Sequence, residues 1–348
     1  MKLDELRGHF PENRVIVDQA GSPSVMVYFP KYYLDEVIDG AAHLPHPAFV
    51  VDGRELDGIY LSKFQNVIVD GLAYSLPGED PATKVTFDGA VRACADKGRG
   101  HHLMSAMEWG AVALWCQKNG TLPFGNNDVG KDVREDAVVA KLSYRDEERS
   151  IYRTATGTGP VTWSHNHRED GIYDLNGNVW EWVGGLRLVF GEVQILSDNN
   201  GAVSQGADSA AWRAIDGTCG KLLIPDGRGT TENSVKLDFA DGHWRYVTGS
   251  VTDTLAKARF CELAEVDTAP EVCNEAKTLL YALGCLCCRS DGIEGVSLYA
   301  NNGAEERMAF RGGRWGQGLN AGVFKTCLDD PRTYAGEAVG FRSAYYES

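Results

Sequence analysis

The hydrophobic pattern of the chain switches between short strand-like runs and two helical stripes. From Pro23, the run Val25-Met26-Val27-Tyr28-Phe29 stops at Pro30, which predicts a strand with a blunted end. Phe49-Val50-Val51 and Ile59-Tyr60-Leu61 read as two more strands, set off by the turn signals Asp52-Gly53 and Asp57-Gly58. After Thr86, which can cap a first turn, Phe87, Val91 and Cys94 recur at i, i+4 and i+7 until Gly98, predicting a helix. A second helix is better marked. Ser105 and Glu108 have capping-box spacing, Met104 and Trp109 occupy the staple positions, and Val112, Trp115 and Cys116 continue the apolar stripe to Asn119-Gly120. Helices this short need a flat apolar partner to be stable.

Beyond Gly120 the chain turns polar and glycine-rich, and an alternating stretch near Trp163 leads into residues 171–182. Residues 191–305 are heterogeneous. They hold loops such as 197–201, a cysteine-rich piece, and a hairpin in which Leu237 and Phe239 alternate before Asp241-Gly242, and Trp244 and Tyr246 after it. A strand-like segment starts at Met308, and residues 339–346 end the pattern as a final strand, which the tendency of loose termini to fray predicts to be tied into a sheet. Forty glycines among 8 Trp and 14 Tyr imply many turns around a broad core. With no internal repeat or low-complexity linker, the pattern describes one elaborated α+β domain, with an N-terminal segment over residues 1–48.

Composition narrows the function. At 43% hydrophobic and 24% charged residues over 348 positions the chain is not a disordered one. With 34 Lys and Arg against 49 Asp and Glu, the net charge of −15 disfavours non-specific contact with nucleic acid and anionic lipid. The first 14 residues do not read as a signal peptide, and the longest apolar segment, 279–288, is too short to span a membrane. Nine cysteines, an odd number in a chain this large, read as reduced thiols, as in the cytoplasm or in a particle assembled inside a cell.

Candidate chemistry is sparse. Gly125 to Lys131 has the spacing of a phosphate-binding loop, but Asp132 stands where Ser or Thr should be, Asp128 and Asp132 would repel phosphate, and no apolar strand precedes it; a surface turn is expected. His165 and His167 could share one side of an extended segment but lack a third metal ligand. Cys261, Cys273, Cys285, Cys287 and Cys288 lack paired knuckles, and buried thiols account for them. Asp174, Glu181 and the backbone at Gly177 and Val179 form an oxygen-rich turn of the type calcium prefers; the alternative is a tight Asn-Gly turn with Glu181 in a salt bridge. No Ser or Cys sits in a recognisable nucleophile setting.

Gly171-Ile172-Tyr173-Asp174 followed by Gly177-Asn178-Val179-Trp180-Glu181-Trp182 resembles the central motif of the formylglycine-generating-enzyme (sulfatase-modifying factor) superfamily. Glu108-Trp109 and the C-terminal motifs Arg311-Gly312-Gly313-Arg314-Trp315 and Gly340-Phe341-Arg342-Ser343-Ala344 resemble two others. The resemblance implies a domain over 49–348 with an insertion at about 191–305, and the C-type lectin fold of the formylglycine-generating type, irregular and loop-rich. It also implies that a structural calcium, where kept, is held by Asp174, Gly177, Val179 and Glu181; no other cofactor is required.

That superfamily contains oxidases and pure binders. Gln317 and Gly322 stand where the oxidases carry a thiol pair for copper, and Cys327 lies beyond with no partner, which argues against an enzyme. The stretch from Arg311 to Phe324 with the ending Gly340 to Ala344 is more similar to the variable proteins of diversity-generating retroelements. By register, that resemblance implies a variable region over 311–344 with ligand contacts at Arg314, Gly316, Gln317, Leu319, Cys327, Asp329, Asp330, Tyr334, Gly336, Glu337 and Ala338, and with Lys325 and Thr326 as further members. Trp315, Val323, Phe324, Val339 and Phe341 would be the scaffold between them, and Arg342 a charged anchor. The function implied is binding of a protein or cell-surface ligand, in a cytoplasmic or phage-particle setting, without nucleic acid or membrane insertion and with the oligomeric state open. A metal-dependent oxidase and a structural domain without a variable surface are the competing readings.

Overall fold

The computed structural model describes residues 3–347; Met1, Lys2 and Ser348, the outer ends of the expected segments, lie outside it. The architecture is mixed α+β and loop-rich, with four helices among the described residues: α1 (Leu3–His9), α2 (Phe87–Ala95), α3 (Ala106–Asn119) and α4 (Asn274–Ala282). The cap signals act as their chemistry requires. Thr86 Oγ accepts from the Gly89 amide at 3.1 Å, and Asp96 closes α2 two residues before Gly98. Ser105 and Glu108 form a reciprocal capping box, and Gly120 ends α3 in the left-handed conformation. The expected strand from Pro23 ends at Pro30, and Asp241 and Gly242 take positive φ between Lys236–Ala240 and His243–Val247.

Two sheets organise the rest. A five-stranded sheet runs in the order Arg14–Val17, Pro23–Pro30, Gly58–Ser62, Ser343–Tyr345, His101–Leu103. The chain's last strand is thus held on both edges, and residues before 48 share its sheet. The larger sheet is built on the long strand Trp180–Val189, which pairs with Arg307–Gly312 on one side, with Glu192–Ile195 on the other, and parallel with Val339–Phe341 at its start. Gly322–Leu328 lies beside Arg307–Gly312. Strands from 191–305 extend this sheet at both ends, through Lys236–Ala240 and His243–Val247 on one and through Ser297–Ala300 and Arg259–Glu262 on the other. Leu237, Trp244, Tyr246 and Leu280 belong to the same apolar core as Trp109, Val112 and Phe324, so the inserted residues have no separate interior.

The cysteine-rich segment holds α4, whose N-cap is the Cys273 sulfur accepting from the Ala276 amide. Its last turn lies against α3: a Cβ on Gly110 would come within 2.0 Å of the Ala282 carbonyl, so only glycine fits that contact.

Candidate binding surface and the oxygen-rich turn beneath it

The C-terminal segment leaves the large sheet twice, in loops 313–321 and 329–338, and returns each time to a buried strand. Gly312 and Gly313 start the first loop at φ near +89° and +85°; a Cβ on Gly313 would lie 2.7 Å from that of Ala321, where the loop closes on itself. Arg311, just before them, is fully buried with no carboxylate partner among the described residues. Its guanidinium donates to the Leu283 and Gly284 carbonyls at the C-terminal end of α4 and to the Cys285 sulfur. A helix C-terminus carries partial negative charge, so α4 supplies the counter-charge that pins the base of the loop.

Trp315 is the loop's anchor. Its ring is buried with Ile151 and Val179 and against Ala338 of the second loop, its indole N–H donates to the Ser150 carbonyl at 2.7 Å, and its amide reaches the Asn178 carbonyl. Around it stand Arg314, Gly316, Gln317 and Leu319, all half-buried or exposed; Gln317 Oε1 braces the loop by accepting from the Arg314 amide at 2.9 Å. In the second loop Asp329, Asp330, Tyr334, Gly336, Glu337 and Ala338 are likewise half-buried or exposed. The Tyr334 ring, 41% exposed, stacks over Phe310 at 6.4 Å between centroids. Its phenol is pushed up by burial and by Asp330 and pulled down by Arg314, which brings the two loops into one electrostatic neighbourhood. Burial and the adjacent Asp329 raise the Asp330 carboxyl to about 6. Glu337 pairs with Lys84 and Arg149, each at 2.8 Å.

Cys327 departs from this set. Every residue of Gly322–Leu328 is buried, and the Cys327 thiol lies in the apolar cluster with Trp182 and Phe310, where burial pushes its pKa far up. The expected contact role is therefore corrected for Cys327, because its sulfur faces the interior. Lys325 and Thr326 are buried in the same strand; the Lys325 ammonium, lowered to about 8 by burial, donates to Ser297 and Asn320.

Beside the first loop lies a cleft of about 160 Å³ that the motifs do not indicate. Leu319 and Gly322 line it together with Ile293, Glu294 and Val296 of the inserted region and with Asn127. A Cβ on Gly295 would stand 3.2 Å from that of Leu319, so the inserted residues touch the loop directly. No periodicity carries this signal, since 290–296 is neither helix nor strand.

The oxygen-rich turn lies deeper. Both Glu181 oxygens accept from the fully buried Arg342 guanidinium, at 2.5 and 2.6 Å, and Arg342 also donates to the carbonyls of Ser62, Tyr173 and Asp174. The Gln65 amide donates to the carbonyls of Asp174 and Val179 and to Glu181. Asp174 Oδ2 accepts from Gly157, while Oδ1 is buried with no partner among the described residues; burial raises this carboxyl to about 6. The expected ligands do not fit a calcium ion as they stand. Oxygens from three of the four, Asp174, Val179 and Glu181, already face N–H donors, and a cation bound to Glu181 would meet the Arg342 charge. The salt-bridge alternative for Glu181 is the arrangement found.

The remaining motifs are structural. In the phosphate-loop lookalike, Gly125 N–H is spent on Asp132 and Gly130 N–H on Asn126, so the loop offers no cradle. His165 is buried, lowered to about 3, and accepts from the Ile172 amide. Among the described residues no group of three or more His, Cys, Asp or Glu is placed to hold a metal ion, and no helix is long and apolar enough to cross a membrane.

Residues 50–206 match the family pattern of the sulfatase-modifying factor enzyme 1-like domain, which covers less than half of the chain. No curated protein matches. Among solved structures, the chain is similar to PvdO from Pseudomonas aeruginosa at 14% identity and a TM-score of 0.38, over 95% of this chain and 97% of that one. It is also similar to the U1 variant of the major tropism determinant at 12% identity and a TM-score of 0.32, over 96% of this chain and 61% of that one.

Proposed function

We propose that this chain is a ligand-binding protein, on a formylglycine-generating-enzyme type of C-type lectin fold, whose residues 311–344 form a diversifiable surface for a protein or cell-surface target. The observation that carries the reading is the segregation of side chains in that segment. Arg314, Gly316, Gln317, Leu319, Asp329, Asp330, Tyr334, Gly336, Glu337 and Ala338 sit on two adjoining loops, and Trp315, Val323, Phe324, Val339 and Phe341 between them are buried. Such a division lets contact residues change while the core stays the same. Tyr and Arg among mixed polar groups are the composition binding surfaces favour. An oxidase would need two thiols facing one another near the first loop; Gln317 and Gly322 occupy those places and Cys327 points inward.

Sequencing the native locus tests the retroelement origin. The proposal expects a reverse transcriptase gene nearby and a near-copy of the segment coding for 311–344 that differs at adenines. Absence of both would overturn it. The same proposal places the protein in a phage-associated setting.

A further inference from the structure

A second unusual surface lies at the other end of the long strand. Trp180, beside the variable loops, and Val189 are separated by a ten-residue strand, so the two ends are about 30 Å apart. Past Val189 the chain turns through Phe190 and Gly191, at φ 47° and 84°, into Glu192–Ile195, with Val189 paired to Glu192. Two-residue hairpin turns with both φ positive strongly favour Asn-Gly, and a bulky aromatic residue at the first position is disfavoured. Phe190 nonetheless holds it and leaves its side chain 40% exposed. A residue kept against local preference, with little burial in return, points to a use for its ring.

The ring borders a hollow of about 570 Å³, within the size range of small-ligand sites. Its rim carries Arg228, Glu232, Asn233, Thr248 and Ser250, whose side chains make no hydrogen bond to the described residues. The wall beneath is rigid. Asp226 accepts from the amides of Arg228 and Thr230 and from the Thr230 hydroxyl, and Gly229 is so close to the turn that a Cβ would lie 2.3 Å from the Val189 carbonyl.

The chemistry of the rim selects the ligand. An anion is poorly served, because the Lys236 ammonium is saturated by Thr231 and Ser234 and the remaining cation of the lining, Arg228, lies in the field of the Asp226 carboxylate. An apolar ligand would strand the hydroxyls and the amide. A neutral polyhydroxylated ring satisfies both halves: its C–H face stacks on the phenyl ring, and its hydroxyls meet the carboxylate, amide and alcohols. We infer that the hollow bounded by Phe190, Glu232 and Asn233 is a saccharide-binding site, separate from the variable surface.

Saturation-transfer NMR on the full chain with N-acetyl-D-glucosamine, D-galactose and D-mannose, each added singly, tests this. At least one sugar should receive saturation. Phe190→Asn, which restores the favoured turn pair, should raise the melting temperature and abolish the transfer. Glu232→Ala should weaken it about tenfold or more, and Tyr334→Ala should leave it unchanged. No transfer to any of the three sugars, or transfer that survives both Phe190→Asn and Glu232→Ala, would overturn the inference.

Discussion

The turn from Asp174 to Glu181 and the loops from 313 to 338 both place several polar groups among buried aromatic residues, and they treat those groups in opposite ways. In the turn, Arg342 and Gln65 reach in from two other parts of the chain and take up both Glu181 oxygens and the carbonyls of Asp174 and Val179. In the loops, the backbone is secured by Trp315, Arg311 and Gln317, while Leu319 and Tyr334 are left facing solvent and Arg314 stays half-buried, donating to the Trp315 carbonyl. The turn fastens two sheets, because Arg342 lies between the strand that joins the large sheet and the strand that joins the small one. Polar groups satisfied inside the chain stabilise it; polar groups left unsatisfied on a fixed backbone are available to a partner.

Removing the internal cation should have the largest effect. Arg342→Met leaves Glu181 buried and unpaired, and a loss of about 3–5 kcal/mol is expected by denaturant titration. A loss under about 1 kcal/mol would mean that the turn is not a fastening. Trp315→Ala should destabilise by about 3 kcal/mol through the cavity it leaves, with Ser150 and Asn178 near the vacated site becoming less protected in hydrogen exchange. If exchange there is unchanged, Trp315 does not anchor the loop.

The third test uses pH. The Asp174 carboxyl rises to about 6 in the folded protein, above its ordinary value of 3.8, so its contribution to stability is fully present below about pH 4 and lost as the pH rises through 6. Asp174→Asn should therefore stabilise the protein at pH 7 by roughly 2 kcal/mol, with the gain shrinking toward zero below about pH 4. An equal gain at both pH values would contradict this. The same burial argument makes a prediction for calcium: millimolar calcium or a chelator should leave the melting temperature of the wild-type protein unchanged, and a rise of several degrees would show that a metal displaces Arg342 and Gln65 from these oxygens.

Much of this contrast was legible in the sequence, but unevenly. The capping box at Ser105 and Glu108 and the Asp241-Gly242 turn are local signals, and local chemistry decides them, whereas the contact positions around Trp315 are implied only by the register of the family resemblance. The joining of 191–305 to the large sheet was not legible, because strand partners such as Tyr299 and Cys327 are not neighbours in the chain. Helix α4 was missed because its cap is a cysteine sulfur, not one of the usual oxygen-bearing residues. The inward turn of Cys327 was hidden for a different reason: its strand is covered on both faces, so alternation cannot sort inside from outside.

The smallest expected effects belong to the loops. Glu337→Ala gives up exposed ion pairs with Lys84 and Arg149, which solvent screens, and should leave the melting temperature nearly unchanged. The most direct measurement extends that logic to binding. Arg314, Gln317, Tyr334 and Glu337 would be randomised together, and the folded fraction and the bound targets of the resulting variants measured side by side. The account predicts that most variants keep a melting temperature near the parent's and that different variants capture different protein or cell-surface ligands. Widespread unfolding, or folded variants that all keep the parent's binding behaviour, would contradict it.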